Sequence, residues 1–178
     1  MRATPELALS VQTGEGGPPC PVPRARLRRW VLRALERDAR VVVRFVGTRE
    51  GRALNREYRG RDYATNVLTF AYDAPPGGGA SRARGPIAAD IVICLPVLER
   101  ESRRQRKPLD HHLAHLVIHG VLHAQGWEHE DDAQAAAMES RETALLRGLR
   151  IPDPYAPARR GFGPPREFGY PEATRTNR

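Results

Sequence analysis

Five of the six histidines in this 178-residue chain fall between positions 111 and 123, and the sixth is His129. The informative stretch reads HGVLHAQGWEH, from His119 to His129. In a helix, residues four apart share a face, so the imidazoles of His119 and His123 project side by side. Gly126 stands where that helix has to end, because a residue without Cβ turns the chain there at no steric cost. The returning chain can then present His129 to the same point. Three neutral imidazoles fill three corners of a tetrahedron around a divalent ion and leave the fourth to water, the open arrangement of a catalytic zinc site. The metal ligands are therefore expected to be His119, His123 and His129, with one ion bound. Such a donor set also accepts nickel or copper, and zinc comes first on chemical grounds. His115, one turn before His119, is expected to support the site without ligating. His111 and His112 are expected to face solvent or to cap the helix start.

The spacing H-x-x-x-H-x-x-G-x-x-H is shared with a large class of zinc proteases, in which a Glu directly after the first His is the general base. Here that position is Gly120. A peptidase of that design would lack its proton acceptor, which argues against peptide hydrolysis. Glu128 adjoins the third histidine and is expected to hydrogen-bond an imidazole. Spacing marks no other carboxylate, so no general acid or base is assigned.

These residues need a scaffold, and the rest of the chain supplies one. Glu6 to Val11 alternates like a half-buried strand, and the Gly- and Pro-rich residues 14–23 form a loop. Leu27, Trp30, Val31, Ala34 and Leu35 have helical spacing from Arg24 onward. Val41 to Val46 is a β-branched strand, and Thr48 is expected to cap a helix over residues 49–58 that Arg59-Gly60-Arg61 ends. Asn66 to Tyr72 and Ala88 to Leu95 read as strands, paired as a hairpin across the loop between Pro75 and Pro86. Helices follow from Pro96 to Arg106 and from Pro108 to Gly126. A last helix opens at Glu130-Asp131-Asp132, with Ala137, Met138, Leu145 and Leu149 inward. This order predicts an α+β fold: a single domain over 1–155 with a small mixed β-sheet of about four strands packed by about five helices. The metal site sits on a helix of the C-terminal half. Residues 156–178 read as a basic Pro/Gly/Arg-rich tail without fixed structure.

Composition narrows the function classes. Hydrophobic residues make up 40% of the chain, enough for one core and against wholesale disorder. No run approaches the ~20 apolar residues that span a bilayer, and the first 25 residues lack the pattern of a secretory signal. A cytoplasmic protein without a membrane partner is expected. Of 29 basic residues 28 are Arg, and the net charge is +8. Guanidinium forks match phosphate oxygens, so a polyanion, nucleic acid first, is one reading of the charge. Arginine on any solvated surface of a GC-rich coding sequence is the other. Cys20 and Cys94 fit no metal or redox spacing, and no disulfide is expected between them.

The same segments resemble the bacterial YbeY endoribonucleases (rRNA maturation factors). HGVLHAQGWEH is similar to that family's H-G-x-L-H-x-x-G-Y-D-H, with Trp127 and Glu128 for the usual Tyr and Asp. LNREYRGRDYATNVLTF, from Leu54 to Phe70, is similar to L-N-x-x-Y-R-x-K-D-x-P-T-D-V-L-S-F, with Arg61 for Lys and Ala64 for Pro. AADIVICLPV is similar to the family's G-D-I-V-I strand, with Ala89 for Gly. The resemblance covers about residues 5 to 155, and the tail after Tyr155 inherits nothing. It implies a small mixed sheet, a zinc ion on His119, His123 and His129, and Arg59 as the functional arginine. The implied activity is cleavage of single-stranded RNA, serving 16S rRNA 3′-end maturation and ribosome quality control with the small ribosomal subunit as partner.

On this reading His119, as a ligand, and Arg59, as the group that binds the scissile phosphate, are the catalytic residues. Arg59 is equally explained, on position alone, as a cation at a helix C-terminus. Thr65 and Asn66 either shape the substrate cleft or form a strand-entry turn. The attacking group is water or the RNA 2′-hydroxyl, which leave different product ends. Two rivals stand beside the nuclease: an assembly factor in which zinc only staples helices, and a metal-dependent hydrolase of peptides or other small substrates. The sequence is silent on oligomeric state.

Overall fold

The computed structural model describes residues 4–72 and 85–156. Most of the 75–86 loop and, beyond Ala156, the proposed tail lie outside these residues. The elements run β1 (Leu7–Thr13), α1 (Arg24–Ala34), β2 (Ala39–Val46), α2 (Thr48–Arg59), β3 (Val67–Ala71), β4 (Ile87–Cys94), α3 (Leu95–Gln105), α4 (Leu109–Ala124) and α5 (Asp132–Gly148). Four strands and five helices form the α+β fold that the patterning predicts.

The sheet has the order β1-β2-β4-β3. β1, β2 and β4 are parallel, and β3 returns antiparallel along β4, with Phe70 opposite Asp90 and Thr69 opposite Ile91. The expected hairpin between β3 and β4 is present. β4 is central, and its run of Ile87, Ala89, Ile91, Val92, Ile93 and Cys94 is buried, as a strand covered on both faces should be. On one face the major core gathers Val43, Phe45, Ile91 and Ile93 with Leu27 and Trp30 of α1 and Leu113, Leu116, Val117 and Val121 of α4. The other face carries a smaller cluster of Val46, Leu68, Val92, Cys94 and Val97, against which Leu54 of α2 and Phe70 of β3 pack.

Helix α4 is the axis of the larger core. Twelve of its sixteen residues are buried, including His112, His115 and His119. Gln125, its C-cap, fastens it to α1: the side-chain amide donates to the Ala34 and Val121 carbonyls at 2.8 and 3.1 Å and accepts the Glu36 N–H at 2.8 Å. Three expectations need correction. Thr48 does not cap α2: Gly47 is the N-cap and the Thr48 hydroxyl bonds the Cys94 thiol instead. Ala137 faces solvent, because the inward line of α5 runs through Met138, Glu142, Leu145 and Leu146. His112 is buried rather than solvent-facing, 2% exposed, because α3 and the start of β3 close over it.

Gly120 is where α4 comes nearest the sheet. A Cβ there would stand 3.0 Å from Ile91 Cγ2 and from Thr69 Oγ1 and 3.1 Å from Ile91 Cδ1. Ile91 is fully buried in the central strand and cannot retreat without opening the core. Gly120→Val is therefore expected to destabilise the fold by about 1–3 kcal/mol through overpacking. A urea midpoint equal to the wild type would refute this account of the close approach.

Candidate metal centre

The last two turns of α4 and the loop after it build the site. His119 and His123 lie one turn apart on α4, with ring centroids 4.5 Å apart. At Gln125 the helix ends, and Gly126 takes φ 89°, a left-handed conformation that a glycine adopts without strain. The Gly126 N–H bonds the His123 carbonyl at 2.9 Å and the Trp127 N–H bonds the Leu122 carbonyl at 3.1 Å, so the chain folds back over the helix end. His129 thereby arrives 4.9 Å from the His123 ring and 5.8 Å from the His119 ring. One ring nitrogen from each of His119, His123 and His129 lies within 4.8 Å of the other two. Tetrahedral zinc, with bonds of ~2.0–2.1 Å to nitrogen, sets its ligand atoms about 3.4 Å apart. That spacing lies inside the 4.8 Å span of the three nitrogens, and the all-nitrogen donor set suits a divalent transition metal. His119, His123 and His129 are the side chains that would hold it.

Protonation states suit the same use. Burial first, and then the neighbouring His119 and His129 rings, push the His123 pKa down to about 3. At neutral pH this imidazole is uncharged and offers a lone pair. His119 Nδ1 lies 2.6 Å from Glu142 Oε1 in a buried contact. The carboxylate can only accept, so Nδ1 carries the hydrogen and Nε2 keeps the lone pair for a metal.

Glu142 is the residue that spacing did not mark. Its side chain is wholly buried. The other oxygen, Oε2, accepts from His115 Nε2 at 2.9 Å and from the Tyr155 hydroxyl. Burial alone would raise the Glu142 pKa, but hydrogen bonds from His115 and His119 outweigh it and hold this carboxyl well below the ordinary range. His115 thus supports the site through Glu142, as expected. A signal was present in the sequence: Met138, Glu142, Leu145, Leu146 and Leu149 follow helical spacing, which puts a carboxylate in the middle of an apolar stripe.

The other expected residues fall as follows. Glu128 stands 3.7 Å from His123 Nδ1, beyond hydrogen-bond reach, and with that imidazole uncharged the two form no ion pair. His112 Nε2 meets Glu101 Oε2 at 2.9 Å, and Asn66 donates to the same oxygen at 3.0 Å. That contact ties α4 to α3 and to the start of β3, and gives Asn66 a structural part. Arg59 ends α2 and is exposed. Partial burial of its guanidinium and the nearby Arg61 lower its pKa, opposed by Tyr63, and its neighbours so defined belong to the α2–β3 turn. The three histidines are thus brought together, while Arg59 stands on an element of its own.

A mixed sheet crossed by a buried helix that ends in three convergent imidazoles, backed by a buried carboxylate, defines an α+β protein whose three-histidine cluster could hold a metal ion. Within that class, the family described as Endoribonuclease YbeY matches residues 22–150. An "Endoribonuclease YbeY" of Cupriavidus pinatubonensis is 56% identical over 153 residues, 85% of this chain and 73% of that protein. The protein of the same name from Methylibium petroleiphilum is 50% identical over 154 residues, 86% of this chain and 97% of its own length. That of Cupriavidus necator is 53% identical over 156 residues, 85% of this chain and 74% of its own. The chain belongs to the YbeY family.

Glu142→Gln keeps the shape of the buried side chain but removes the charge and sets an amide N–H against one of its present donors. Zinc affinity, measured by competition with a chromogenic chelator, is expected to fall about 10–100-fold. Unchanged affinity in a folded variant would show that Glu142 does not orient His119.

Proposed function

We propose that this protein is a zinc-dependent endoribonuclease, specific for single-stranded RNA, that acts in 16S rRNA 3′-end maturation and ribosome quality control. Its working partner on this reading is the small ribosomal subunit and its compartment the cytoplasm. The observation that carries the proposal is the convergence of His119, His123 and His129 within 4.8 Å in a chain that belongs to a family of proteins named as endoribonucleases. No helix among the described residues is long and apolar enough to cross a membrane.

Zinc held by the three imidazoles supplies Lewis acidity and a water made acidic enough to act near neutral pH. The chain's own residues do the rest. His119, oriented by Glu142, directs its free nitrogen at the site. Arg59 binds the scissile phosphate with a guanidinium fork, and so stabilises charge that accumulates on the phosphoryl oxygens. The excess of arginine over acid in the whole chain raises the local concentration of a polyanionic substrate.

The staple reading would need a protein side chain as a fourth ligand. The nearest further histidine on α4, His115, has its Nε2 engaged by Glu142 at 2.9 Å and by Tyr155 at 3.1 Å, and among the described residues the convergent group holds the three histidines. The peptidase reading is weakened further by Gly120, which lies against Ile91 and Thr69 of the sheet. A carboxylate there would meet the core before it met a substrate.

Cleavage of a single-stranded oligonucleotide is expected to disappear on chelation and return with zinc, while a duplex of the same sequence stays intact. His119→Ala should lose both bound zinc and cleavage; retention of both would overturn the metal mechanism. Arg59→Glu should reduce cleavage by about 10²–10³-fold at full zinc occupancy, the usual cost of removing a charge-stabilising donor. Loss of zinc in that variant would make Arg59 structural. Affinity for RNA should also fall steeply between 50 and 200 mM salt, as counterion release requires.

A further inference from the structure

Among the described residues, the large hydrophobic side chains left exposed are Tyr58, Tyr63 and Tyr72, at 59%, 46% and 64%. All three belong to the end of α2, the turn after it, and the end of β3. Scattered apolar residues on a surface need no explanation, but aromatic rings confined to one segment do.

The geometry joins two of them through Phe70. The Tyr58 ring meets Phe70 edge-on, centroids 4.8 Å apart at 68°. Tyr72 lies two residues beyond Phe70, and its N–H continues the ladder to the Ala88 carbonyl at 3.0 Å. Alternation along a strand therefore puts both side chains on the same face. The Tyr72 hydroxyl donates to Asp90 Oδ2 at 2.8 Å, and Asp90 is the cross-strand partner of Phe70. One ring is thus fixed by packing and the other by a hydrogen bond, and Tyr58, Phe70 and Tyr72 form a row.

Cations border the row. Arg56 and Arg59 occupy the last turn of α2 and are exposed. Arg61 reaches the Tyr63 hydroxyl at 3.4 Å. Of the acids here, Asp62 is committed to Arg52 through two hydrogen bonds of 2.8 and 2.6 Å, Asp90 accepts the Tyr72 hydroxyl, and Glu57 adjoins Tyr58; Arg52, Arg56, Arg59 and Arg61 outnumber them. Immobilised aromatic faces beside guanidinium groups are the chemistry that holds unpaired bases: the rings stack on the bases and the cations follow the phosphates. A duplex hides its base faces and gains only the second term.

We infer that Tyr58 and Tyr72, with the arginines beside them, form a stacking platform for single-stranded RNA, which sets the preference for unpaired substrate. The inference rests on the proposed RNA-cleaving function and assigns its strand selectivity to aromatic side chains that are not among the three convergent histidines. β3 is the edge of the sheet. Its Thr69 faces Gly120 of α4, while Phe70 belongs to the cluster on the opposite face. An RNA that engages both sites crosses the open edge of β3.

The test uses the zinc-loaded 178-residue chain, a fluorescein-labelled single strand of about twelve nucleotides and a hairpin duplex, with affinities read by anisotropy at fixed salt. The double variant Tyr58→Leu/Tyr72→Leu is expected to bind the single strand about tenfold or more weakly, the scale of one or two lost base–aromatic stacks. Its duplex affinity and zinc content should stay unchanged. Tyr58→Phe, which keeps the ring packed on Phe70, should bind within about twofold of the wild type. Wild-type affinity in the leucine variant, or an equal loss for single strand and duplex, would overturn the platform and leave the nuclease reading standing. A wild-type protein that bound neither RNA would overturn that reading, and the platform with it.

Discussion

The buried carboxylate of Glu142 is the contact on which the candidate metal centre depends. A carboxylate taken wholly out of water costs several kcal/mol unless its lone pairs are answered. Here three donors from two places answer them: His119 and His115 of α4, and Tyr155 beyond α5. One charge therefore does three jobs. It docks α5 on α4, it fixes the tautomer of His119, and it draws the segment after α5 across the helices. Lys107 completes that last attachment with a 2.6 Å bond to the Pro154 carbonyl, and Asp153 accepts the Tyr155 N–H at 2.9 Å.

Why some of this was legible in the sequence follows from distance along the chain. His119, His123 and His129 converge through one helical turn and one glycine, both local, and their spacing announces itself. Glu142 lies 23 residues from His119, on another helix, so no spacing rule joins them, although its place in the stripe of Met138, Leu145 and Leu146 was a clue. His112 was misread because a helix start is usually wet; its burial depends on Glu101 and Asn66, which only the tertiary structure brings over it. The hairpin of β3 and β4 was readable from adjacency. That β4 is central follows from its nearly all-apolar run, but which strands flank it is settled by long-range packing. Gly120 was read as a missing base. The structure adds that this position faces Thr69 and Ile91, so that no base placed there could serve a centre of this kind.

The sheet also divides the molecule's labour. One face takes the larger core and α4, and its chemistry gathers where α4 ends. The other face takes α2, with its arginine-rich C-terminal turn and the row of rings from Tyr58 to Tyr72. The strand that separates the two, β3, is short, half-buried, and at the sheet's margin. Nothing in this arrangement requires the two surfaces to be built from neighbouring sequence, and they are not.

The compact spacing of the three histidines has a thermodynamic consequence of its own. All three lie within eleven consecutive residues, so closing them around an ion needs only a short loop and little chain entropy. A denatured chain retains that same stretch and competes for the metal. Stabilisation by a bound ligand shrinks by whatever affinity the unfolded ensemble keeps. On the proposed zinc reading, saturation with the metal should therefore raise the melting temperature by less than the native-state affinity alone implies.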